Sequence, residues 1–448
     1  MELIGSKPDR KVIFYFIGGI LAGTISLCLP VCSTGVPLSF IDALFTATSA
    51  VCVTGLTVLD TGQDFTLFGQ IVIMVLIQLG GLGIMTFASA LLISMAPRLS
   101  FKDRFVISLT LGGDQQVKTG SLLKAVILTA FSAELAGALL LFLKFRTEYP
   151  FGQAVFHAVF HSVSAFCNAG FSTFEGGLEG YRDDLTVILI FSALIISGGL
   201  GFIVIREALL KIKQPGHRFS THSKLSLAVT AGLLVIGTAA FLSAEYENVF
   251  AGMSTVKAVG NAFFQAVTTR TAGFNTVPQV NLTEVSLLMT IILMFIGACP
   301  GSTGGGIKTT TFGVLLLLGY NRFLGRSSVK AFRRSVSVDS VNRALTVLLV
   351  ALAVVLVMFV LLMFAEERPP SHQLAHSWFV ESLFEVISAF GTVGLSLGMT
   401  GQLHTYGKII IIILMFVGRV GLLTLVLNLA RPPQRGEVVY LDEQVMVG

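Results

Sequence analysis

A gapless fourfold repeat constrains this chain more than any other feature. Setting Gly55, Gly170, Gly273 and Gly394 in one column places Phe45, Phe160, Phe263 and Phe384 ten positions before it. Leu56, Phe171, Phe274 and Leu395 follow directly, and the next column is small and polar in every copy: Thr57, Ser172, Asn275 and Ser396. An internal repeat decides architecture before any single segment does. Four copies spread along 448 residues predict four units, at 1–100, 101–215, 216–335 and 336–448.

Each unit is apolar. The chain is 54% hydrophobic and 12% charged, with a mean hydropathy of +0.83, whereas soluble domains carry roughly 25% charged residues. It therefore reads as an integral membrane protein. The net charge of +5 comes from basic residues in short loops between apolar runs, a topological pattern and not a nucleic-acid surface. Cys28, Cys32, Cys52, Cys167 and Cys299 lack metal-ligand spacing and are odd in number, so they are expected to be packing residues. The apolar run from Val12 to about Cys28 follows Lys7, Arg10 and Lys11 like a signal peptide. Without a small-x-small cleavage site it is expected to be retained as the first helix.

Within each unit the hydropathy pattern predicts an outer helix, a half-length amphipathic helix ending at the column glycine, and a glycine-bearing inner helix. The outer helices, near 12–31, 121–144, 224–244 and 342–365, are long enough to cross about 30 Å of hydrocarbon. The short helices, near 38–50, 153–166, 256–269 and 375–390, are not, so they should enter the membrane and return. Irregular backbone at that depth survives only where it is buried or lines a watery cavity. Inner helices begin near 67, 185, 284 and 407, with glycine clusters at Gly80-Gly81-Leu82-Gly83, Gly198-Gly199-Leu200-Gly201, Gly304-Gly305-Gly306 and Gly418-Arg419-Val420-Gly421. In the first two clusters close packing or bending suffices as an explanation.

Most Lys and Arg residues lie in the N-terminal tail, in loops 94–121, 206–224 and 320–343, and after 430; Asp60, Asp64, Glu175, Glu179, Asp183, Asp184, Glu366 and Glu367 collect on the other side. Both termini are thus expected to be cytoplasmic. An even number of crossings per unit makes all four parallel, whereas inverted repeats need an odd number. The predicted fold is all-α: eight transmembrane and four re-entrant pore helices around a central pore.

The column glycines carry the chemistry. A backbone carbonyl can replace part of an ion's hydration shell, but only where the chain is irregular, which glycine permits. Thr392-Val393-Gly394 is the tripeptide at the core of potassium filters. Val53-Thr54-Gly55, Asn168-Ala169-Gly170 and Thr271-Ala272-Gly273 are degenerate versions of it, implying fewer ordered sites and moderate selectivity. These twelve residues are the candidate ion site, with potassium at the carbonyls.

Between the apolar runs 286–296 and 312–319 lies Gly297-Ala298-Cys299-Pro300-Gly301-Ser302-Thr303-Gly304-Gly305-Gly306-Ile307-Lys308-Thr309. Pro300 and the glycines should break the helix. Ile307 separates glycine from lysine, so this is not a phosphate-binding loop. Gly301, Ser302, Thr303, Gly304, Gly305, Gly306 and Lys308 are candidate gate residues, the alternative being a kink that relieves packing. Lys308 either holds the loop or snorkels to the cytoplasm. Arg419, placed mid-helix, costs about 2.5–3.5 kcal/mol at the bilayer centre. It should face the pore and bond to loop carbonyls, or else pair with Glu134. Arg270 is expected to hold the third filter segment through backbone or a pore-helix acid. His157/His161 and His372/His376 have helical spacing without a metalloprotease motif and should pack at the interface. No convergent Ser/His/Asp, paired-carboxylate or metal cluster suggests an enzyme.

Together the four units, their column glycines, the interrupted stretch at 297–309 and Arg419 resemble the Trk/Ktr/HKT superfamily of cation transporters over essentially the whole chain. Lacking two additional N-terminal helices, the sequence is more similar to Ktr-type membrane subunits than to Trk-type ones. The resemblance implies potassium uptake at a bacterial plasma membrane, often sodium-stimulated, through a homodimer with one pore per subunit. It also implies a cytosolic ring of RCK-type regulatory subunits binding ATP or ADP, for which basic loop 320–343 is a candidate docking surface, with no cofactor in this chain. A serine at the first filter position accompanies sodium preference in HKT relatives; Gly55 there favours potassium. The rival expectation is a sodium-coupled secondary transporter with alternating access.

Overall fold

The same three-part unit recurs in a computed structural model that describes residues 8–95, 119–214, 216–366 and 377–421. Pro8–Leu27 (α1), Phe40–Cys52 (α2) and Leu67–Met95 (α3) form the first unit. The second comprises Thr119–Phe145 (α4), Phe151–Cys167 (α5), Leu185–Leu200 (α6) and Phe202–Lys213 (α7). Thr221–Glu245 (α8), Thr255–Thr268 (α9), Glu284–Phe295 (α10) and Thr309–Phe323 (α11) make the third, and Val338–Ala365 (α12), Trp378–Gly391 (α13) and Thr405–Val420 (α14) the fourth. A hairpin, Lys330–Ala331 (β1) with Arg334–Ser335 (β2), follows α11; its two turn residues, Phe332 and Arg333, have positive φ, as a two-residue hairpin loop requires. Residues 96–118 of the basic loop 94–121, Glu367, His372, His376, the expected start of the fourth pore helix at 375 and the tail after 430 lie outside the described residues.

Lys124–Phe145, Thr221–Glu245 and Val338–Ala365 are each long and apolar enough to cross a membrane. Leu128, Leu135, Val235, Leu349 and Leu356 on these helices are exposed, a liability in water and the ordinary state in lipid. The expected eight crossings are not matched by length alone: among the described residues three helices qualify, or four if the bent pair α6–α7 is one span. The inner helices of the second and third units are interrupted. The second bends by 103° at Gly201, φ +78°. A Cβ there would strike the Pro300 carbonyl and the Gly301–Ser302 peptide, and the Phe202 N–H donates to Gly301 O (3.2 Å). The bend thus makes a seat for the interrupted stretch of the third unit. Gly421 ends α14 with a similar φ of +89°, whereas α3 runs straight through Gly83.

Each inner helix packs on the short helix of the next unit: α3 on α5, α6 on α9, α10 on α13, and α14 back on α2. The four units therefore close into a ring. Lys257–Asp183 (2.8 Å) and Lys408–Asp42 (2.6 Å) clasp two of these junctions on the acidic side. Close approach between inner and short helices relies on glycine. A side chain at Gly80, Gly198 or Gly418 would run into the carbonyl of Val51, Phe166 or Phe390, the residue four before each column glycine.

One column of the repeat needs correction. Phe45, Phe160 and Phe384 are fully buried, but in the third unit the buried ring is Phe264, not Phe263. The third short helix is joined to its glycine by one residue fewer, so its helical positions are offset by one from the gapless alignment.

Candidate ion pathway

Three of the short helices end on a residue in the left-handed region: Val53 (φ 55°), Asn168 (φ 60°) and Thr392 (φ 49°). The amides there reach back in a Schellman pattern. Val53 N–H donates to Ala50 O (3.1 Å) and Thr54 N–H to Ser49 O (2.8 Å), with matching pairs Asn168/Ala165 and Ala169/Ser164, and Thr392/Ala389 and Val393/Ser388. In the third unit the left-handed residue is Thr271 (φ 71°), and Ala272 N–H donates to Thr268 O (3.0 Å). A β-branched residue at positive φ costs about 1–3 kcal/mol and persists only where its surroundings impose it. Val53, Thr271 and Thr392 all accept that cost two residues before the column glycine.

The glycines follow at φ 92°, 72°, 78° and 94°. A Cβ on Gly55 would meet Ala169 O; one on Gly170, Ala272 O; one on Gly273, Val393 O; and one on Gly394, Thr54 O. The carbonyl preceding each glycine is therefore wedged against the glycine of the neighbouring unit, in the closed order 55, 170, 273, 394. The twelve candidate residues come together, with Thr54, Ala169, Ala272 and Val393 supplying the interleaved oxygens. The Thr54 and Thr392 hydroxyls are buried without a partner among the described residues. The Asn168 amide is best turned so that its nitrogen donates to Ile195 O (3.1 Å) and Ala165 O (3.0 Å).

On the acidic side the ring opens into a cavity of about 340 Å³ touched by all four glycines, Asp60 and Glu179. Burial holds the Glu179 carboxyl above the usual carboxylate range, opposed by the bond from Asn275, whose amide donates to it at 2.6 Å. On the same acidic side, Lys257 holds Asp183 below that range.

On the opposite side lies the interrupted stretch. α10 stops at Phe295 and α11 starts at Thr309; Gly297 N–H donates to Ile307 O (2.8 Å), closing the base of the excursion. Thr303 is anchored by N–H to Gly198 O (3.2 Å) and by Oγ1 to Phe166 O (3.2 Å). Gly304 and Gly305 sit where a Cβ would hit the hydroxyls of Thr271 and Thr392, directly against the ring residues. Ser302 is buried with a hydroxyl that has no partner among the described residues, and Gly301 and Gly306 take φ of +72° and +64°. Lys308 folds back, donating from Nζ to Gly304 O (2.6 Å).

The Arg419 guanidinium donates to Thr303 O and, at 2.8 Å, to Gly80 O. It ties the stretch to two inner helices. The alternative partner, Glu134, is instead gripped by the Gln78 amide (2.9 and 3.0 Å). Arg270 donates to Gly297 O (3.4 Å), bracing the start of the excursion and not an acid. His161 Nδ1 donates to His157 O (2.8 Å), which leaves Nε2 to accept from Ser172 (3.0 Å); His157 bonds Thr173 (2.7 Å).

The sequence reading missed the hydroxyls behind the ring. Ser49 accepts from Gly55 N–H (3.1 Å) and Ser388 from Gly394 N–H (3.2 Å), while Ser164 donates to Phe171 O (2.8 Å) and Thr268 to Phe274 O (2.6 Å). Three lie in one column of the repeat. The fourth escapes it because of the one-residue offset that also displaces Phe264. The polar residues after the buried rings were missed as well: Glu385 accepts from Ser396 (2.8 Å) and from Thr400, and Gln265 donates to Gln279 (2.8 Å).

This geometry has known counterparts. The fold is that of the potassium transporter TrkH from Vibrio parahaemolyticus, with a TM-score of 0.76 at 21% identity over 96% of this chain and 86% of that one. At 39% identity the chain is similar to the Ktr system potassium uptake protein B of Bacillus subtilis (98% of this chain, 97% of that one). It is equally similar to the potassium/sodium uptake protein NtpJ of Enterococcus hirae (99% and 97%). The model of the TrkH cation transport proteins matches residues 11–437. With the repeat, the ring and the interrupted inner helix all falling inside that match, the chain belongs to the TrkH family of cation transport proteins and is an ion transporter, not an enzyme.

Proposed function

We propose that this chain takes up potassium through the four-glycine ring, with the stretch 301–308 as its gate and Arg419 and Lys308 as the gate's fastenings. The observation that carries the reading is the closed order of the ring, in which each glycine is wedged against the carbonyl that precedes the next one. Four such oxygens around one axis can replace an ion's hydration shell. A gate directly beneath, in contact with Thr271 and Thr392, is placed to block the exit. The relatives named as potassium uptake proteins support the choice of ion, and NtpJ, named for potassium and sodium, supports sodium stimulation. The acidic mouth faces outward and both termini face the cytoplasm of a bacterial cell. The working unit is a homodimer on a cytosolic RCK-type ring, whose ATP or ADP occupancy sets the gate.

The test is potassium uptake in cells lacking their own uptake systems, comparing the intact chain with Gly273→Ser and Gly394→Ser. Restored growth at low potassium, weakened at least tenfold in apparent affinity by either serine, is expected. The estimate reflects the about 1–3 kcal/mol cost of forcing a side chain into a packed site. Growth indifferent to both substitutions would mean the glycines only pack helices.

A further inference from the structure

Four buried hydroxyls stand behind the ring, and chemistry fixes the direction of each bond. An amide N–H can only donate and a carbonyl can only accept. In the first and fourth units the serine hydroxyl therefore receives the glycine N–H (Ser49 from Gly55, Ser388 from Gly394). In the second and third units the hydroxyl gives its proton to the carbonyl one residue past the glycine (Ser164 to Phe171 O, Thr268 to Phe274 O). All four side chains are fully buried, so water does not compete for these bonds. The split follows the sequence: the residue after the glycine is Leu56 or Leu395 where the hydroxyl accepts, and Phe171 or Phe274 where it donates.

The two kinds of unit are neighbours in the ring, since Gly394 abuts Gly55 and Gly170 abuts Gly273. The ring has two unlike halves. In the phenylalanine half the carbonyls of Phe171 and Phe274 are drawn back toward the short helices and have a lone pair committed there. In the leucine half the carbonyls of Leu56 and Leu395 accept no hydrogen bond among the described residues. These four oxygens come two residues after the ring carbonyls, beyond the glycines' own, where the chain runs on to Thr57, Ser172, Asn275 and Ser396 at the acidic mouth.

We propose that Ser164 and Thr268 are selectivity-determining positioning residues: by tethering the Phe171 and Phe274 carbonyls they leave the entry level of the filter with the Leu56 and Leu395 carbonyls alone. Entry is thereby a weak, one-sided station, and discrimination is concentrated at the four-oxygen ring below. Ser49 and Ser388 hold the opposite half through the glycine N–H and leave its carbonyls free. This inference rests on the reading of the ring as the ion path.

The test uses the full chain, purified and reconstituted in liposomes, with potassium and sodium fluxes measured separately. Ser164→Ala and Thr268→Val remove only the hydroxyl, and Ser164→Thr and Thr268→Ser retain it. Releasing a tethered carbonyl is expected to change the sodium-to-potassium flux ratio by about threefold to tenfold, the effect of one hydrogen bond. The pair together should exceed either alone, and the hydroxyl-retaining variants should restore the original ratio. Ser226→Ala, which removes a fully buried hydroxyl from the outer helix α8, should leave the ratio within about twofold, a contrast that a general loss of buried hydroxyls would not produce.

A ratio unmoved by Ser164→Ala and Thr268→Val in protein of normal yield overturns the proposal. So does failure of both variants to accumulate as folded protein while Ser164→Thr and Thr268→Ser do, because the hydroxyls would then be struts. Gly273→Ser, measured alongside, separates the two readings. If it abolishes potassium flux while the hydroxyl variants change nothing, the ring stands and only the inference about its halves falls.

Discussion

At the scale of the residue, the proposed gate turns on Arg419. Its guanidinium spans from Thr303 O in the interrupted stretch to Gly80 O in the first inner helix, and it is buried. A planar fork can serve both acceptors at once, which a lysine ammonium at the end of a flexible stem does less well. Hydrogen bonds from a charged donor contribute about 1.5–3 kcal/mol each. Arg419→Ala leaves the buried Thr303 carbonyl unmatched, removes the second bond to Gly80 O, which keeps its helical partner, and frees the stretch, so rubidium flux into liposomes should rise while the thermal midpoint falls. Arg419→Lys should lie between. If neither flux nor midpoint moved in the alanine variant, Arg419 would be a bystander to both gating and folding.

At the scale of the element, the contacts of the interrupted third inner helix favour the proposed gate over a kink that relieves packing. A kink that merely relieved packing would make few contacts, whereas this one reaches Gly198, Phe166, Gly301–Phe202 and Arg419. Removing residues 302–306 should therefore raise potassium flux about tenfold or more, because losing even one or two bonds of about 1 kcal/mol shifts the open population by that order. Unchanged flux from folded protein would return the stretch to a packing role. Its existence was readable in advance from Pro300 and the glycine run, because backbone chemistry is local. Its anchoring was not readable, since Gly198 and Gly80 come from other units and nothing local names them. The bend at Gly201 was hidden for the same reason: its cause is the Pro300 carbonyl of the next unit. The glycine column was legible because glycine at positive φ cannot be replaced cheaply. Thr268 was not, because a one-residue shortening before Gly273 defeats any gapless frame. Glycine clusters that look alike in sequence also end differently, continuing as helix at Gly83 and breaking at Gly201.

At the scale of the whole molecule, the proposed ion site would couple an ion to the stability of the fold. Each inner helix packs on the next unit's short helix, and α14 closes on α2 through Lys408 and Asp42. The four segments at the centre are held by positive-φ residues that are costly on their own, and the oxygens of Thr54, Ala169, Ala272 and Val393 crowd one another's glycines. A cation among those oxygens would relieve their mutual repulsion and bridge all four units at once. A ligand that binds only the folded ring stabilises it by mass action, about 2.7 kcal/mol at a hundred times its dissociation constant. Unfolding of the purified chain in detergent should thus shift to higher temperature in potassium relative to a bulky organic cation at equal ionic strength. Sodium should give a smaller shift, and Gly394→Ser should lose most of it, since the new side chain would occupy the space of Thr54 O and Gly55. An equal midpoint in all three salts would mean that the ring is held by protein contacts alone and that the ion is not part of what closes it.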